Sequence, residues 1–258
     1  PREIEVLCEV WDWDAQGEPD FMGRVTLPGK RLMQLQREAA SRALVLEPAL
    51  GPSGLIKTAR KGIGNFEVYL RGKASHAGLD PEAGASAILE LSHVIQQVDL
   101  LNEPDKGTTL NVGIVKGGTR PNVVAAEATA SVDVRVTSRD HGRRIEERMS
   151  AIETVNQDVA IEVSGEIRVP PLERTPRNVT LWEEARQRGG ELGLALDQGL
   201  AGGGSDGNTT SLYTATLDGL GCVGDGAHAD HEHIELAPTL DRCALLARLL
   251  MAPALSTT

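Results

Sequence analysis

The stretch from residue 61 to residue 166 most constrains what this chain can fold into, because its hydrophobic period alternates between that of a strand and that of a helix in a fixed order. "NFEVYLRG" alternates apolar and polar residues, as a strand with one buried face does. "DPEAGASAILELSHVIQQV" follows, with Ile88, Leu91, Ile95 and Val98 at helical spacing, Asp80 placed as an N-cap and Pro81 at the first helical position. "TTLNVGIVKGG" and "VVAAEATASVDVRVT" are β-rich runs joined by "GGTRPN", whose Gly and Pro mark a turn, so they read as an antiparallel pair. "SRDHGRRIEERMSAIETV" offers Ser138 as a cap for an amphipathic helix, and "VAIEVSGEI" alternates again.

The order βαββαβ is that of a ferredoxin-like sandwich, two helices on one face of an antiparallel sheet. The flanks read differently. Residues 31–60 give a short helix and then "RALVLEPAL", an apolar strand ending on an acid. Residues 178–258 give a helix, a Gly-rich loop, a short strand and a closing helix, "LAPTLDRCALLARLLM". Strands alternating with helices indicate an α/β layer. The expected architecture is therefore an α/β domain made of residues 31–62 and 173–258, interrupted by a ferredoxin-like domain at 63–172. The junctions fall near Arg60 to Gly64 and Pro170 to Pro176, and a strand-rich segment at 1–30 stands apart.

A chain of 258 residues holds one large domain or two modest ones. Its aromatic content of 3% leaves the core to Leu, Val, Ile and Ala. Lys and Arg number 26 against 37 Asp and Glu, a net charge of -11 that repels nucleic-acid backbones and anionic membrane surfaces. Cys8, Cys222 and Cys243 are scattered and odd in number, which fits neither a disulfide framework nor a thiolate metal site and suits a cytoplasmic location. No apolar run reaches the length of a membrane span. The opening "PREIEVLCEV" has no basic start and no Met, and reads as a cut.

Several stretches carry residue types that do chemistry. "GDGAHADHEHIEL" (224–236) holds His228, His231 and His233, with Gly224 and Gly226 before them and Pro238 opening the next helix. In an extended chain positions 231 and 233 point one way and 228 another, so the three do not converge by spacing. Glu47 ends an apolar strand before Pro48, at the strand end where α/β layers place ligands, and reads equally as an ordinary strand-end carboxylate. "AGGGSDGNTT" puts Gly203, Gly204, Ser205 and Asp206 before a helical run, a backbone-amide cradle or simply a turn. His76 lies in the small-residue loop "GKASHAG", Asn122 follows a Pro at a hairpin, and Arg135 sits late in a strand where an unpaired guanidinium would be costly to bury.

Together, "LVLEPAL", "KTARKGIGNFEVYLRGKASHAG", "GGTRPNVV", "DVRV", "GGGSDGN" and "TLDGLGCVGDGAHADHEHIEL" resemble the zinc-dependent aminoacylase and carboxypeptidase family. That family includes bacterial glutamate carboxypeptidase, acetylornithine deacetylase and succinyl-diaminopimelate desuccinylase. The resemblance runs from about residue 40 to the C-terminus. It implies an α/β catalytic domain with two zinc ions and an inserted ferredoxin-like domain that forms a homodimer. It implies that Glu47 binds one zinc and His228 the other, whereas His231 and His233 match no ligand. It implies that His76 reaches the partner's active site to polarise the scissile carbonyl and that Asn122 and Arg135 hold substrate. Arg168 matches an arginine that grips a terminal carboxylate, and Gly203, Gly204, Ser205 and Asp206 border the substrate pocket.

The implied activity is metal-assisted amide hydrolysis of a small molecule or peptide with a free carboxylate. The family's early His-x-Asp ligand segment, its bridging aspartate and its Glu-Glu pair should precede Glu47. Only 46 residues do so, and "GEPDFMGRVTLPGK" stands where the acid pair is expected. The chain is therefore expected to have an incomplete metal site and impaired activity. Residues 5–28, "EVLCEVWDWDAQGEPDFMGRVTLP", resemble part of a calcium-dependent lipid-binding module, in which Asp12, Asp14 and Asp20 would bind Ca²⁺. A resemblance this short fits a structural strand pair better than a calcium site. The alternatives to the hydrolase are a non-catalytic dimerising or small-molecule binding protein and a calcium-binding module.

Overall fold

The computed structural model describes residues 9–13, 19–24, 41–253 and 255, in two compact units of residues 1–40 and 41–258. In the first unit, β1 (Glu9–Trp13) pairs antiparallel with β2 (Pro19–Arg24), and Asp12 is opposite Asp20 in the register. Asp14, the third calcium candidate, lies outside the described residues, as does the helix expected before residue 41.

The second unit is mixed α/β. Its central feature is a four-stranded antiparallel sheet of β5 (Gly62–Arg71), β6 (Thr109–Gly117), β7 (Glu127–Val136) and β8 (Ala160–Val169), in the order β6-β7-β5-β8. The two middle strands are the first and third in sequence, as the βαββαβ pattern requires. On one face Phe66, Val68 and Leu70 of β5 and Ala128, Val132 and Val134 of β7 are buried, and α1 (Ala87–Asp99) and α2 (Arg139–Ser150) cover them with Leu91, Val94, Val98, Ile145 and Met149. Small and β-branched residues dominate this core, in keeping with the low aromatic content, and each large side chain buried contributes roughly 1.5–3 kcal/mol.

Helix α1 departs from expectation in two ways. Its N-cap is Ser86, whose Oγ accepts from the Leu89 N–H at 3.2 Å, and not Asp80, which makes no capping bond. Residues 81–83 form only a 3₁₀ turn, because the chain then extends so that Ala85 exchanges backbone hydrogen bonds of 2.9 Å with Lys73. The buried face is correspondingly Ala87, Leu91, Val94 and Val98, which leaves Ile88 47% exposed. Ser138 caps α2 as expected, accepting from the His141 N–H.

The remainder consists of two parallel strand pairs and the helices on them. β3 (Arg42–Leu44) pairs with β10 (Ala215–Leu217), and β4 (Ile56–Arg60) with β9 (Gln198–Ala201). Between them in sequence come α3 (Pro176–Glu191) and the single-turn α4 (Asp206–Thr210). β11 (Gly224–Asp225) and β12 (His233–Ile234) form a small hairpin. α5 (Leu236–Leu250) closes the chain and begins two residues before Pro238, which is tolerated because first-turn N–H groups have no helical partner. Ile56, Leu181, Trp182, Leu217, Leu220, Leu245 and Leu249 make a second core that shares no residue with the first. No helix among the described residues is long and apolar enough to cross a membrane.

The chain passes from β4 into the sheet at Arg60–Gly62 and returns at Val169–Leu172. The crossings are paired: the Arg60 N–H donates to the Leu172 carbonyl and the Leu172 N–H to the Arg60 carbonyl, at 3.0 and 3.1 Å.

Candidate functional site

Glu47 lies three residues beyond β3, which is shorter than the apolar run foretold, and its side chain is exposed. Its backbone is held against the segment after β10: the Gly221 N–H donates to the Glu47 carbonyl at 2.9 Å, and the Ala49 N–H to the Cys222 carbonyl at 2.8 Å. A Cβ on Gly221 would lie 2.2 Å from the Leu46 carbonyl oxygen, so this approach is open only to glycine.

His228 sits in the turn between β11 and β12, exposed, with a left-handed backbone (φ 64°) uncommon for a residue other than glycine. Its N–H donates to the Glu232 carboxylate at 3.3 Å. His231 and His233 are also exposed, and the His231 carbonyl oxygen lies 3.1 Å from Nδ1 of His233. Among the described residues no three His, Cys, Asp or Glu side chains converge to hold a metal ion. Glu47 and His228 are therefore two donors on separate loops, and the described donor set does not by itself fit a two-metal centre.

His76 and Asn122 are brought together. The Ala77 N–H donates to the Asn122 carbonyl at 3.0 Å, and His76 bridges to Val123. Nδ1 of His76 accepts from the N–H groups of Gly78 and Leu79, both at 3.1 Å. These bonds fix the ring and leave Nε2 as the nitrogen that carries the hydrogen in the neutral imidazole.

Arg135 is half-buried on the open face of the sheet, opposite the helices. It is not unpaired: Nε and Nη2 donate to the Asp133 carboxylate at 2.8 and 3.0 Å, which leaves the Nη1 hydrogens free of that bond. Its neighbour across the ladder is Ile63, itself paired with Val169. The Gly-rich loop arrives at this row, since a Cβ on Gly204 would meet Ile63 Cδ1 at 3.0 Å and Val169 Cγ1 at 3.5 Å. Arg135 and the loop at Gly203, Gly204, Ser205 and Asp206 thus share one end of the sheet. Arg168 is exposed on the edge strand β8.

The loop is fastened from beneath by residues that sequence reasoning did not single out. Arg60 and Asp218 form a buried ion pair, Nε to Oδ2 at 2.7 Å and Nη2 to Oδ1 at 3.2 Å. Nη1 of Arg60 donates to the carbonyls of Gly203 and Gly204 at 3.0 and 3.4 Å, and Ser205 Oγ donates to Asp218 Oδ2. Lys57, three residues before Arg60 in β4, is also buried. Burial depresses its ammonium pKa and the Arg60 charge adds to this, while Asp218, Glu47 and Cys222 act in the opposite sense. The signal available in sequence was one Asp inside the apolar run "TATLDGLG": a carboxylate there requires a cation, but nothing local says which.

Residues 58–164 match the peptidase dimerisation domain of the M20 family. Carboxypeptidase G2 of Pseudomonas sp. (strain RS-16) is 28% identical over 230 residues, covering 85% of this chain and 54% of that protein. Among solved structures, aminopeptidase PepT from Bacillus cereus superposes with a TM-score of 0.73 at 24% identity, covering 83% of this chain and 58% of that one. The YXEP protein of Bacillus subtilis, described as a dinuclear metal binding peptidase from the M20 family, superposes with a TM-score of 0.65 at 15% identity, covering 86% and 59%. The chain thus spans little more than half the length of these relatives.

Proposed function

Because the chain is a relative of the M20 metallopeptidases and carries their dimerisation domain, we propose that it belongs to a homodimeric, zinc-dependent hydrolase of amide bonds, of the carboxypeptidase or N-acyl amino acid deacylase type. The observation that supports this best is the meeting of the Gly-rich loop with the sheet row that holds Arg135. Exposed glycine amides beside a guanidinium held in place by Asp133 make a seat for a substrate carboxylate. Arg168 would add a polar contact to the same substrate, whereas Asn122, held beside His76 at the opposite end of the sheet, would act with His76. His76, its ring fixed by two backbone donors, would present Nε2–H to the carbonyl oxygen of an amide bound in the partner subunit and stabilise the oxyanion that forms there.

Zinc, when bound, would supply an activated water, with Glu47 and His228 each contributing one donor. One donor per ion holds zinc weakly. Residues 1–258 by themselves are therefore expected to retain little metal and little activity.

The test is zinc content of the purified chain after incubation with Zn²⁺ and desalting, alongside hydrolysis of N-acyl amino acids and C-terminal glutamyl peptides. Substoichiometric zinc, with uptake reduced further by Glu47→Ala or His228→Ala, is the expected result. Two tightly held zinc ions with turnover would refute the incomplete ligand set. A dimer whose residual zinc uptake ignores both substitutions would favour the second reading, a non-catalytic dimerising or small-molecule binding protein.

A further inference from the structure

One buried side chain touches both crossings between the parallel strands and the four-stranded sheet. Asn208 is 0% exposed. Its Nδ2 donates to the Lys61 carbonyl at 3.2 Å on the way in and to the Pro170 carbonyl at 2.7 Å on the way out. Its Oδ1 accepts from the Ser205 N–H at 2.9 Å, at the end of the Gly-rich loop. That last bond belongs to the capping box of α4, which needs only the oxygen of the amide. The two bonds from the nitrogen do nothing for the cap and tie the loop to both linkers.

Arg60 and Lys61 add to the tie from the incoming side. Nη1 of Arg60 holds the Gly203 and Gly204 carbonyls, and the Lys61 N–H donates to the Ala201 carbonyl at 2.9 Å. Positions 201, 203, 204 and 205 are thus each bonded to a crossing or to Asn208. Buried bonds of this kind are costly to break one at a time, so the loop and the crossings are expected to move together.

We propose that Asn208, supported by Arg60, is a positioning residue that couples the setting of the four-stranded sheet to the Gly-rich loop, so that a shift of the sheet against the parallel strands is carried into the loop beside Arg135. This rests on the reading of that loop as a seat for a substrate carboxylate.

The coupling is tested by a double-mutant cycle on the full chain, read by amide hydrogen exchange. A Cβ on Gly62 would lie 2.8 Å from the Val169 carbonyl oxygen and 2.9 Å from Pro171 N, so Gly62→Ala forces the crossings apart without touching the loop. Glu173→Ala, made in parallel at the surface, frees the returning crossing from the Arg139 N–H that its carboxylate accepts at 2.7 Å. Either substitution should speed exchange of the Ser205 amide, which donates to Asn208 Oδ1, roughly tenfold, about one hydrogen bond's worth of local opening. The acceleration should vanish in an Asn208→Asp background, which keeps an oxygen for the Ser205 N–H and removes the two bonds from Nδ2 to the linkers, while the amides of Val68 and Val132 stay protected throughout. A Ser205 amide that ignores both substitutions, or effects that simply add to that of Asn208→Asp, would overturn the coupling; an Asn208 that only caps the helix gives the additive result. Protection of the exposed Gly203 and Gly204 amides by N-acetyl-L-glutamate is followed separately. Its absence would overturn the substrate seat while leaving the cycle to decide the coupling.

Discussion

Arg60 and Asp218, 158 residues apart in sequence, form a two-bond ion pair in which the side chains are only 4% and 0% exposed. A buried pair is expensive to break from one side because the remaining charge is stranded. We expect Asp218→Asn and Arg60→Met each to destabilise the fold by about 3–5 kcal/mol, and the double change Arg60→Met with Asp218→Leu to cost less than their sum. Guanidinium unfolding midpoints measure this, and strictly additive losses would show that the two groups do not act as a pair.

Lys57 gives the fold a pH dependence of definite sign. Its pKa is lowered in the folded chain, by burial first and by Arg60 second, from an ordinary value of 10.5. Between the folded and unfolded values the unfolded chain binds the extra proton, so this group's contribution to stability rises with pH through that window. At neutral pH the buried ammonium is a penalty. Lys57→Met should therefore be more stable than the parent at neutral pH, with the difference shrinking as pH approaches 10.5. Denaturation midpoints of the two proteins across that range test it, and a constant difference would rule it out.

The outer edge of the sheet is apolar where solvent would be expected to impose polar residues. Ile114 and Val115 on the edge strand β6 are 55% and 54% exposed, and Ile88 and Leu89 on α1, a helix packed against that strand, are 47% and 62% exposed. Unpaired strand edges and contiguous apolar patches are surfaces for association. We expect the chain to be a dimer by light scattering, and Ile114→Lys together with Leu89→Glu to yield a folded monomer. A dimer that survives both changes would place the interface elsewhere.

Gly221 is the contact through which the β10 segment positions Glu47. Alanine there would press on the Leu46 and Glu47 carbonyl oxygens, at 2.2 and 2.8 Å before relaxation. Gly221→Ala should cost about 1–3 kcal/mol by overpacking and displace Glu47. A lowered melting temperature together with reduced zinc uptake is the expected pair of results; unchanged zinc uptake would separate Glu47 from metal binding.

The sequence by itself determined the elements that depend on near neighbours. The alternation in "NFEVYLRG" and "VAIEVSGEI", the Ser138 cap and the turn at "GGTRPN" are local signals, and their order was enough for the ferredoxin-like sheet and its α/β surroundings. The face of α1 was misread because Ala85 is claimed by Lys73, a contact that no helical period encodes. The partners of Arg60, Asp218 and Asn208 were illegible for the same reason: a buried charge or amide announces that it needs a partner but not which one. Only the tertiary structure decided that Asp218 would meet Arg60 and that one asparagine would join both crossings to the Gly-rich loop. Hydrogen bonds and ion pairs act over about 3 Å, whereas the residues that make these contacts are brought together only after two cores and two crossings have formed.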